Sequence, residues 1–529
     1  MTQVAFESER WRPDSYVQAG LISFCLFIAF FVNLWGVPLF DLDEGAFAEA
    51  TREMLVSGNF AATYLDGEPR YDKPILSYWL QSLSVSAFGM HEFAFRLPSA
   101  LAASLWLIAS YRFVKQEWDE QSALFTVLIM ANVAIVGVIG RAATADAWLN
   151  LFISLTMFDM WRYMRMPRLR TLLTTYTWLA LGVLTKGPVA IAIPLMAGGL
   201  FFMTTRQHQQ FWRAVLNPVG WLVFAAILGP WLIAVYQDQG WDFFTGFLLD
   251  HNINRFTQTR EGHGGSLVYY FAVLPIIVLP FTGVLFTFLQ RLRVFWSDAL
   301  SRYLLLWFGV VFVLVSMSKT QLPHYLLYGL TGVFFIFARY RGTLFSGTWQ
   351  LAFPLGFMAL MFFLPDLVAL AVDQSTRAYE VELLSRGDEV LNFNYRLLAA
   401  LTFVAMVLLA FLLRASHGHR LIALSVLQTL FIFNVFINAV GELQQGPVKR
   451  AAELASQLGH DKVVAYGISM PSFSVYRQAV TPREAPDEAD LIFTRADRLE
   501  SLRRELRQDL NIIFREGGIV LVERQYESQ

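Results

Sequence analysis

The stretch VQAGLISFCLFIAFFVNLWGVPLF, Val17–Phe40, runs without a break into DLDEGAFAEATREM, Asp41–Met54, and this junction decides the fold class. A helix needs about 20 predominantly apolar residues to cross a bilayer, and Val17–Phe40 supplies them. No small-residue cleavage site follows; the run ends in Trp35-Gly36-Val37-Pro38, so it reads as a retained span rather than a signal peptide. Counting outward gives about thirteen apolar runs of this kind: 17–40, 92–111, 121–140, 145–161, 171–185, 187–205, 214–235, 266–289, 303–317, 322–338, 348–370, 395–413 and 421–440. Composition agrees. Of 529 residues 56% are hydrophobic and 16% charged, against roughly 45–50% and 25% in an average globular chain. Disorder, a fibrous repeat and a disulfide scaffold are excluded. Net charge is −1, which leaves no basic field for nucleic acid. The single cysteine, Cys25, permits no intramolecular disulfide. The chain reads as a polytopic α-helical membrane protein.

Lys and Arg in short loops set the orientation. Arg10 and Arg12, Arg112 and Lys115, Arg162 to Arg170, Arg206 and Arg213, Arg291 to Arg302, Arg339 and Arg341, and Arg414 and Arg420 all fall on alternate connections. They place the N-terminus in the cytoplasm and, with an odd number of spans, the C-terminus outside. The apolar stretch 74–89 would invert every later loop if it crossed, so it reads as an interfacial or re-entrant helix opened by Pro74. Residues 1–440 form a transmembrane unit. Residues 441–529 are charge-dense, and strand-like runs (Val463–Tyr466, Leu491–Phe493, Ile519–Val522) alternate there with helical patterns (Val448–Leu458, Arg498–Leu506), which predicts a small soluble α/β domain on the outer side.

Ionisable residues near membrane depth are expensive, so their placement is informative. In this topology Asp43, Glu44, Asp72, Lys73, Arg96, Arg141, Asp146, Lys186, His251, Arg255, Lys319 and His324 gather at the outer face. Singly, each reads as well as a helix cap or headgroup anchor; together they suggest chemistry on a charged, membrane-borne substrate. In the first outer loop, 41–73, Ala46, Phe47, Ala50 and Met54 fall on one helical face with acids on the other. Asp41 and Glu44 have capping-box spacing. Asp43 is not needed for that role and suits a general base. Asp72 suits a cap for the 74–89 helix. Lys73 at the same helix start is unfavourable beside the dipole unless an anion sits there, and a phosphate would satisfy both.

Asp43-Glu44 after the first span, Phe47-Ala48-Glu49, Arg52-Glu53-Met54, Lys73-Pro74, Arg96-Leu97-Pro98-Ser99, Thr144-Ala145-Asp146-Ala147, Leu184-Thr185-Lys186-Gly187-Pro188 and Pro323-His324-Tyr325 follow one another in an order that resembles the GT-C glycosyltransferases using polyprenyl-phosphate sugars. The likeness is to the dolichyl-phosphate-mannose protein mannosyltransferase superfamily, and within it to the bacterial aminoarabinose (lipid A) transferase branch. It covers most of 1–340 in motif order; beyond that it is architectural. It implies that Asp43 is the catalytic carboxylate, supported by Glu44; that Lys73, Arg255 and Tyr325 hold the donor phosphate; and that Asp72, Asp146, Lys186, His251 and His324 bind substrate or support the site. One departure stands out. Relatives often carry Arg and Tyr two and three places after the Glu, where this chain has Ala46 and Phe47.

The implied partners are a polyprenyl-phosphate-linked sugar and a lipid, glycan or protein acceptor, at the periplasmic face of a bacterial inner membrane and without nucleic acid. No G-x-x-x-x-G-K-[ST] loop is present, in keeping with a donor that carries its own energy. Asp43, Asp72 and His251 would suit a divalent zinc or manganese ion, but no H-E-x-x-H spacing supports one, so no cofactor or metal is assigned. Two other functions fit less well: a cell-envelope glycan polymerase or ligase, which shares the lipid-linked substrate, and a secondary transporter, whose polar residues belong at the bilayer midplane. The topology makes a direct prediction. A cysteine placed at Ser501 reacts with an impermeant thiol reagent in intact spheroplasts, and one at Arg206 is protected; the reverse pattern overturns the orientation.

Overall fold

The computed structural model describes residues 15–253, 266, 268–507 and 509–524. Among them, five helices are long and apolar enough to cross a membrane: Glu92–Glu117, Pro218–Leu249, Ala299–Met317, Phe393–Leu412 and His417–Gln444. Two bent pairs raise the number to seven if each is one span: Glu120–Asn132 with Ala134–Arg141, at 70°, and Thr348–Phe362 with Leu364–Gln374, at 56°. Tyr16–Phe31 and Val189–Thr204 are shorter apolar helices, and the runs 145–161 and 171–185 lie in the helices Asp146–Arg165 and Leu169–Lys186. The run 266–289, expected as one span, is two helices, Tyr269–Ile277 and Thr282–Gln290. Pro280 between them supplies no amide donor to an unbroken helix. The 70° bend sits at Val133, whose backbone is extended, and the Ala134 amide donates to the Leu279 carbonyl instead of to its own helix.

The first loop folds into two helices and a hairpin. Asp43–Ser57 carries Asp43 and Glu44 in its first turn, where the helix dipole favours acids, and stops at Gly58 in the left-handed conformation, φ 69°. Strand β1 (Tyr64–Leu65) pairs antiparallel with β2 (Glu68–Pro69). The stretch 74–89 forms the helix Leu76–Phe88, of 13 residues; at 1.5 Å per residue that is about 20 Å, too short to span. Its Gln81 accepts from Thr51 and donates to the Ala143 carbonyl, tying the first-loop helix to the turn before Asp146.

Residues 463–523 carry a four-stranded sheet in the order β3-β4-β6-β5. β3 (Val463–Ala465) runs parallel to β4 (Leu491–Arg495); β4 and β5 (Asn511–Glu516) each pair antiparallel with β6 (Ile519–Glu523). Alternation sorts the side chains. Val463, Leu491, Phe493 and Leu521 pack on Val448, Ala451 and Ala455 of the helix Gly446–Leu458, while Val464, Ile492, Val520 and Val522 pack on Leu502 from the opposite face. β5 is an edge strand, half-exposed, with polar residues interrupting its pattern; its run stands out less in the sequence for that reason.

The helix Ser472–Arg477 seats this unit on the first loop. Asp41 accepts from the Ser472 amide at 3.0 Å and from its hydroxyl. The Leu39 amide donates to the Tyr476 hydroxyl at 2.7 Å, which donates in turn to Glu92; Lys449 pairs with Glu92 at 2.6 Å, and Arg483 with Asp66 at 3.2 Å. These contacts correct two expectations. Asp41 and Glu44 form no capping box: the helix starts at Asp43, Asp41 is turned to Ser472 and Glu44 to Arg96. Nor do the acids of the first-loop helix face water. Glu49, Arg52 and Glu53 are buried, with Glu49 and Arg52 paired at 2.6 Å.

Burial pushes the Asp41 carboxyl up to about 7 from its ordinary 3.8, outweighing the Ser472 hydrogen bonds. A carboxyl raised on folding stabilises the native state fully below its unfolded value, and that contribution is lost as pH rises through the folded one. The joint therefore weakens between about pH 4 and 7. Hydrogen exchange of the 472–477 amides, corrected for intrinsic rates, should show protection falling over that window, and Asp41→Asn should flatten the dependence. Gly45→Ala should loosen the joint at every pH, because a Cβ there collides with the Asp41 carboxylate and stands 2.8 Å from the Ser472 amide nitrogen.

Candidate functional site

A cavity of about 810 Å³ opens where the first loop, the helix ends and the C-terminal unit meet. Of the ten residues singled out in the sequence, seven line it: Asp43, Asp72, Lys73, Asp146, Lys186, His324 and Tyr325. Glu44 does not. Its carboxylate is buried, accepts two hydrogen bonds from Arg96 at 2.7 and 2.8 Å, and takes the Phe40 and Ala143 amides at 2.9 and 2.7 Å. The backbone of His251 lies in the π-helical segment Thr245–Ile253; its side chain, and Arg255 entirely, lie outside the described residues.

Two ion-pair groups flank the cavity. On one side Asp146, at a helix start, accepts from Lys186 Nζ at 2.6 Å and from the Tyr328 hydroxyl at 2.5 Å, with His324 Nε2 at 3.6 Å. Lys186 also lies 5.3 Å from the Tyr325 ring centroid, within cation–π range. On the other side Asp72 joins two cations, Lys73 at 2.6 Å and Arg70 at 3.1 Å. This corrects the expectation that Asp72 caps the next helix. That helix begins only at Leu76, without a side-chain cap, and Lys73 stands before it, paired with Asp72. Between the two groups is Asp43, which accepts no hydrogen bond and forms no ion pair among the described residues. It also lines a second cavity, of about 270 Å³, together with Leu42, Thr144, Asp146 and His324. Asp43 thus stands where the two cavities meet.

Arg70 and Tyr328 were not singled out in the sequence. Tyr328 is four residues after His324, one helical turn along the same face, a spacing that was available. Arg70 had no such signal. Its guanidinium donates to the Ala46 carbonyl at 2.6 Å and lies 5.4 Å from the Phe47 ring, so it occupies the space beside the two positions where Arg and Tyr were expected. Among the described residues, no group of three His, Cys, Asp or Glu side chains is placed to hold a metal ion.

Residues 72–233 match the family model of the dolichyl-phosphate-mannose-protein mannosyltransferases. A protein of uncharacterised function from Aquifex aeolicus is 32% identical over 314 residues, 58% of this chain and 69% of its own. The chain belongs to this family. An undecaprenyl phosphate-alpha-4-amino-4-deoxy-L-arabinose arabinosyl transferase from Proteus mirabilis is 29% identical over 342 residues, 61% of this chain; the match spans 60% of that transferase's length. The crystal structure of ArnT from Cupriavidus metallidurans bound to undecaprenyl phosphate superposes with a TM-score of 0.80 over 96% of this chain and 98% of its own, at 19% identity. The fold is therefore of the GT-C type, in a multi-pass membrane protein.

Within that fold the Asp146 group makes a testable unit. Removing one partner of a buried ion pair leaves an uncompensated charge and typically costs about 3–5 kcal/mol. Lys186→Ala should destabilise the protein by about that amount, and the double variant with Asp146→Ala by clearly less than the two single losses added, read from thermal unfolding in detergent. Additive losses would mean that the two side chains act independently.

Proposed function

We propose that this protein is a membrane glycosyltransferase that moves a sugar from an undecaprenyl-phosphate-type donor to a hydroxyl or phosphate oxygen of a cell-envelope lipid, glycan or protein. The reaction takes place at the periplasmic face of a bacterial inner membrane, with the N-terminus cytoplasmic and residues 441–529 periplasmic. The observation that carries this reading is Asp43, a carboxylate without a partner among the described residues, standing where two cavities meet and flanked by cations.

In this reading Asp43 takes the proton from the acceptor oxygen as it attacks the anomeric carbon, and the lipid phosphate leaves in line on the opposite side. Lys73 and Tyr325, with Arg255, bind that phosphate and stabilise the charge that develops as it departs, a large share of catalysis in sites of this kind. Lys73 is held ready by Asp72, and Arg70 pins Asp72 from behind. The Asp146–Lys186–His324 group fixes the facing wall, and His251 belongs to the same substrate-binding set. Glu44 supports the site by holding the backbone on either side of it, through Phe40 and Ala143. The likeness to undecaprenyl-phosphate arabinosyl transferases over more than half of their length supports the donor class.

Asp43→Asn tests the reading. Loss of a general base costs on the order of 10²–10⁴-fold in rate. The purified variant should lose transfer by that factor and keep its affinity for undecaprenyl phosphate. Turnover near that of the unaltered protein would sink the assignment. A product carrying an oligosaccharide rather than one sugar, seen by mass spectrometry, would move it to the polymerase or ligase class.

A further inference from the structure

At the end of the bundle away from the two cavities, the same helices enclose a third space of different character. Asp146–Arg165 and Leu169–Lys186 bring Asp146 and Lys186 to the large cavity, so their Arg165 and Leu169 ends lie about 25–30 Å away at 1.5 Å per residue. There, against Val189–Thr204 and the short helix His208–Val215, runs a narrow groove of about 80 Å³. Met160, Leu172, Leu179, Ile191, Leu195 and Phe211 line it, and no charged side chain does. Two of its hydroxyls are turned to backbone: Thr175 donates to the Thr171 carbonyl at 2.8 Å, and Tyr176 to the carbonyls of Ala214 and Val215 at 3.0 and 2.8 Å. Phe211 holds the short helix in place. Its ring packs on Phe202, centroids 5.4 Å apart, and stands 3.0 Å from where a Cβ on Gly199 would be. Leu195 is 41% exposed, so the groove is open along one side.

One end of the groove has the make-up of a headgroup layer. Tyr163 lines it, Trp212 follows Phe211 in the short helix, and Trp221 donates to the carbonyl of Val215, another lining residue, at 2.8 Å. Both tryptophans are about half exposed, and amphipathic rings of this kind settle where lipid headgroups begin. Arginines gather at the same helix ends. Arg168 and Arg170 lead into Leu172, Arg206 follows Phe202, and Arg213 precedes Ala214, close enough to Tyr163 to act on it electrostatically. All four are exposed, and none forms an ion pair among the described residues. The one carboxylate that the four helices carry at this end, Asp159, is taken by Arg162, Thr174 and Trp178, and Glu117 of a neighbouring helix by Arg165. The orientation of the chain accounts for arginines on this side, but not for an apolar groove that ends among them.

We propose that this groove seats an acyl chain of an anionic phospholipid, in the leaflet away from the large cavity, with the lipid phosphate on Arg206 and Arg213. A slot with no charged wall matches a hydrocarbon chain, and the open side lets the rest of the chain lie in the bilayer. A zwitterionic lipid has the same chain but brings its own cation to the arginines, so the site selects by net charge. It stands apart from the transfer reaction proposed above and does not rest on it.

The full-length protein, stripped of lipid in detergent, is titrated with phosphatidylglycerol or with phosphatidylcholine of the same chains, and bound lipid is counted by native mass spectrometry. Phosphatidylglycerol should fill one saturable site at least about tenfold more tightly than phosphatidylcholine. Arg206→Gln and Arg213→Gln should each weaken phosphatidylglycerol about fivefold, the pull of one basic residue on an anionic headgroup, and leave phosphatidylcholine unchanged. Arg414→Gln, at an exposed arginine outside the groove, should move neither. Leu195→Trp, at a half-exposed position where a larger side chain leaves the fold intact, fills the groove and should weaken both lipids. sn-Glycerol 3-phosphate, a headgroup without a chain, should not compete. Equal affinity for the two lipids would overturn the proposal. So would a preference that survives both arginine variants or falls as far in Arg414→Gln, unchanged binding in Leu195→Trp, or competition by glycerol phosphate.

Discussion

The arrangement around Asp43 depends on one buried ion pair, Glu44 with Arg96. Two charges removed from water cost several kcal/mol each, and only complete hydrogen bonding recovers that cost. Here it is complete: the carboxylate accepts four hydrogen bonds and the guanidinium donates five. The partners are what matter for the site. Through Leu34, Val37, Pro38 and Phe40 the pair fixes the end of the first apolar helix and the start of the first loop. Through Ala143 it fixes the turn that presents Asp146. Asp43 is next to Glu44 in the chain, so its position follows from a pair in which it takes no part.

The same economy runs through the rest of the cavity. Asp72 answers Lys73 and Arg70, and Asp146 answers Lys186 with help from Tyr328 and His324. Each of these carboxylates therefore has an opposite charge within hydrogen-bond distance, which offsets part of the cost of burying it. Asp43, which has no cationic partner among the described residues, is the group from which the chemistry proposed here is built.

Much of this was legible in the sequence, and what was not has a common cause. The acidic first loop, the cations at the ends of the spans and the family resemblance brought seven of the ten chosen residues to one cavity. Composition and the apolar runs gave a polytopic helical membrane protein, and the GT-C fold followed from the resemblance. Asp41 and Glu44 were misread because their spacing matches a local helix cap, while their partners are elsewhere; Asp72 was misread because the next helix starts only at Leu76, which leaves it to Lys73 and Arg70. Glu44 meets Arg96 some fifty residues on, and Asp41 meets Ser472, 431 residues on. Likewise Glu49 and Glu53 look like a solvated face, yet both are buried, Glu49 on Arg52 and Glu53 on the Gly67 amide of the hairpin. A helical wheel shows which residues share a face and cannot show what that face will meet. The bends near Val133 and Pro280 were missed for a related reason: hydropathy averages over a break that changes direction without changing composition.

The bond between Asp41 and Ser472 also has a consequence in time. The first loop is made early and the segment that covers it near the end, so during synthesis the loop's acids wait for a partner. At roughly 5–20 residues per second, 431 residues take roughly 20–90 s. Throughout that interval the helices can insert and pack, but the outer wall of the cavity, formed by residues such as Ser469, Pro482 and Arg483, does not yet exist. The site is therefore closed only when residues 469–483 arrive, long after the loop that carries Asp43 has been made.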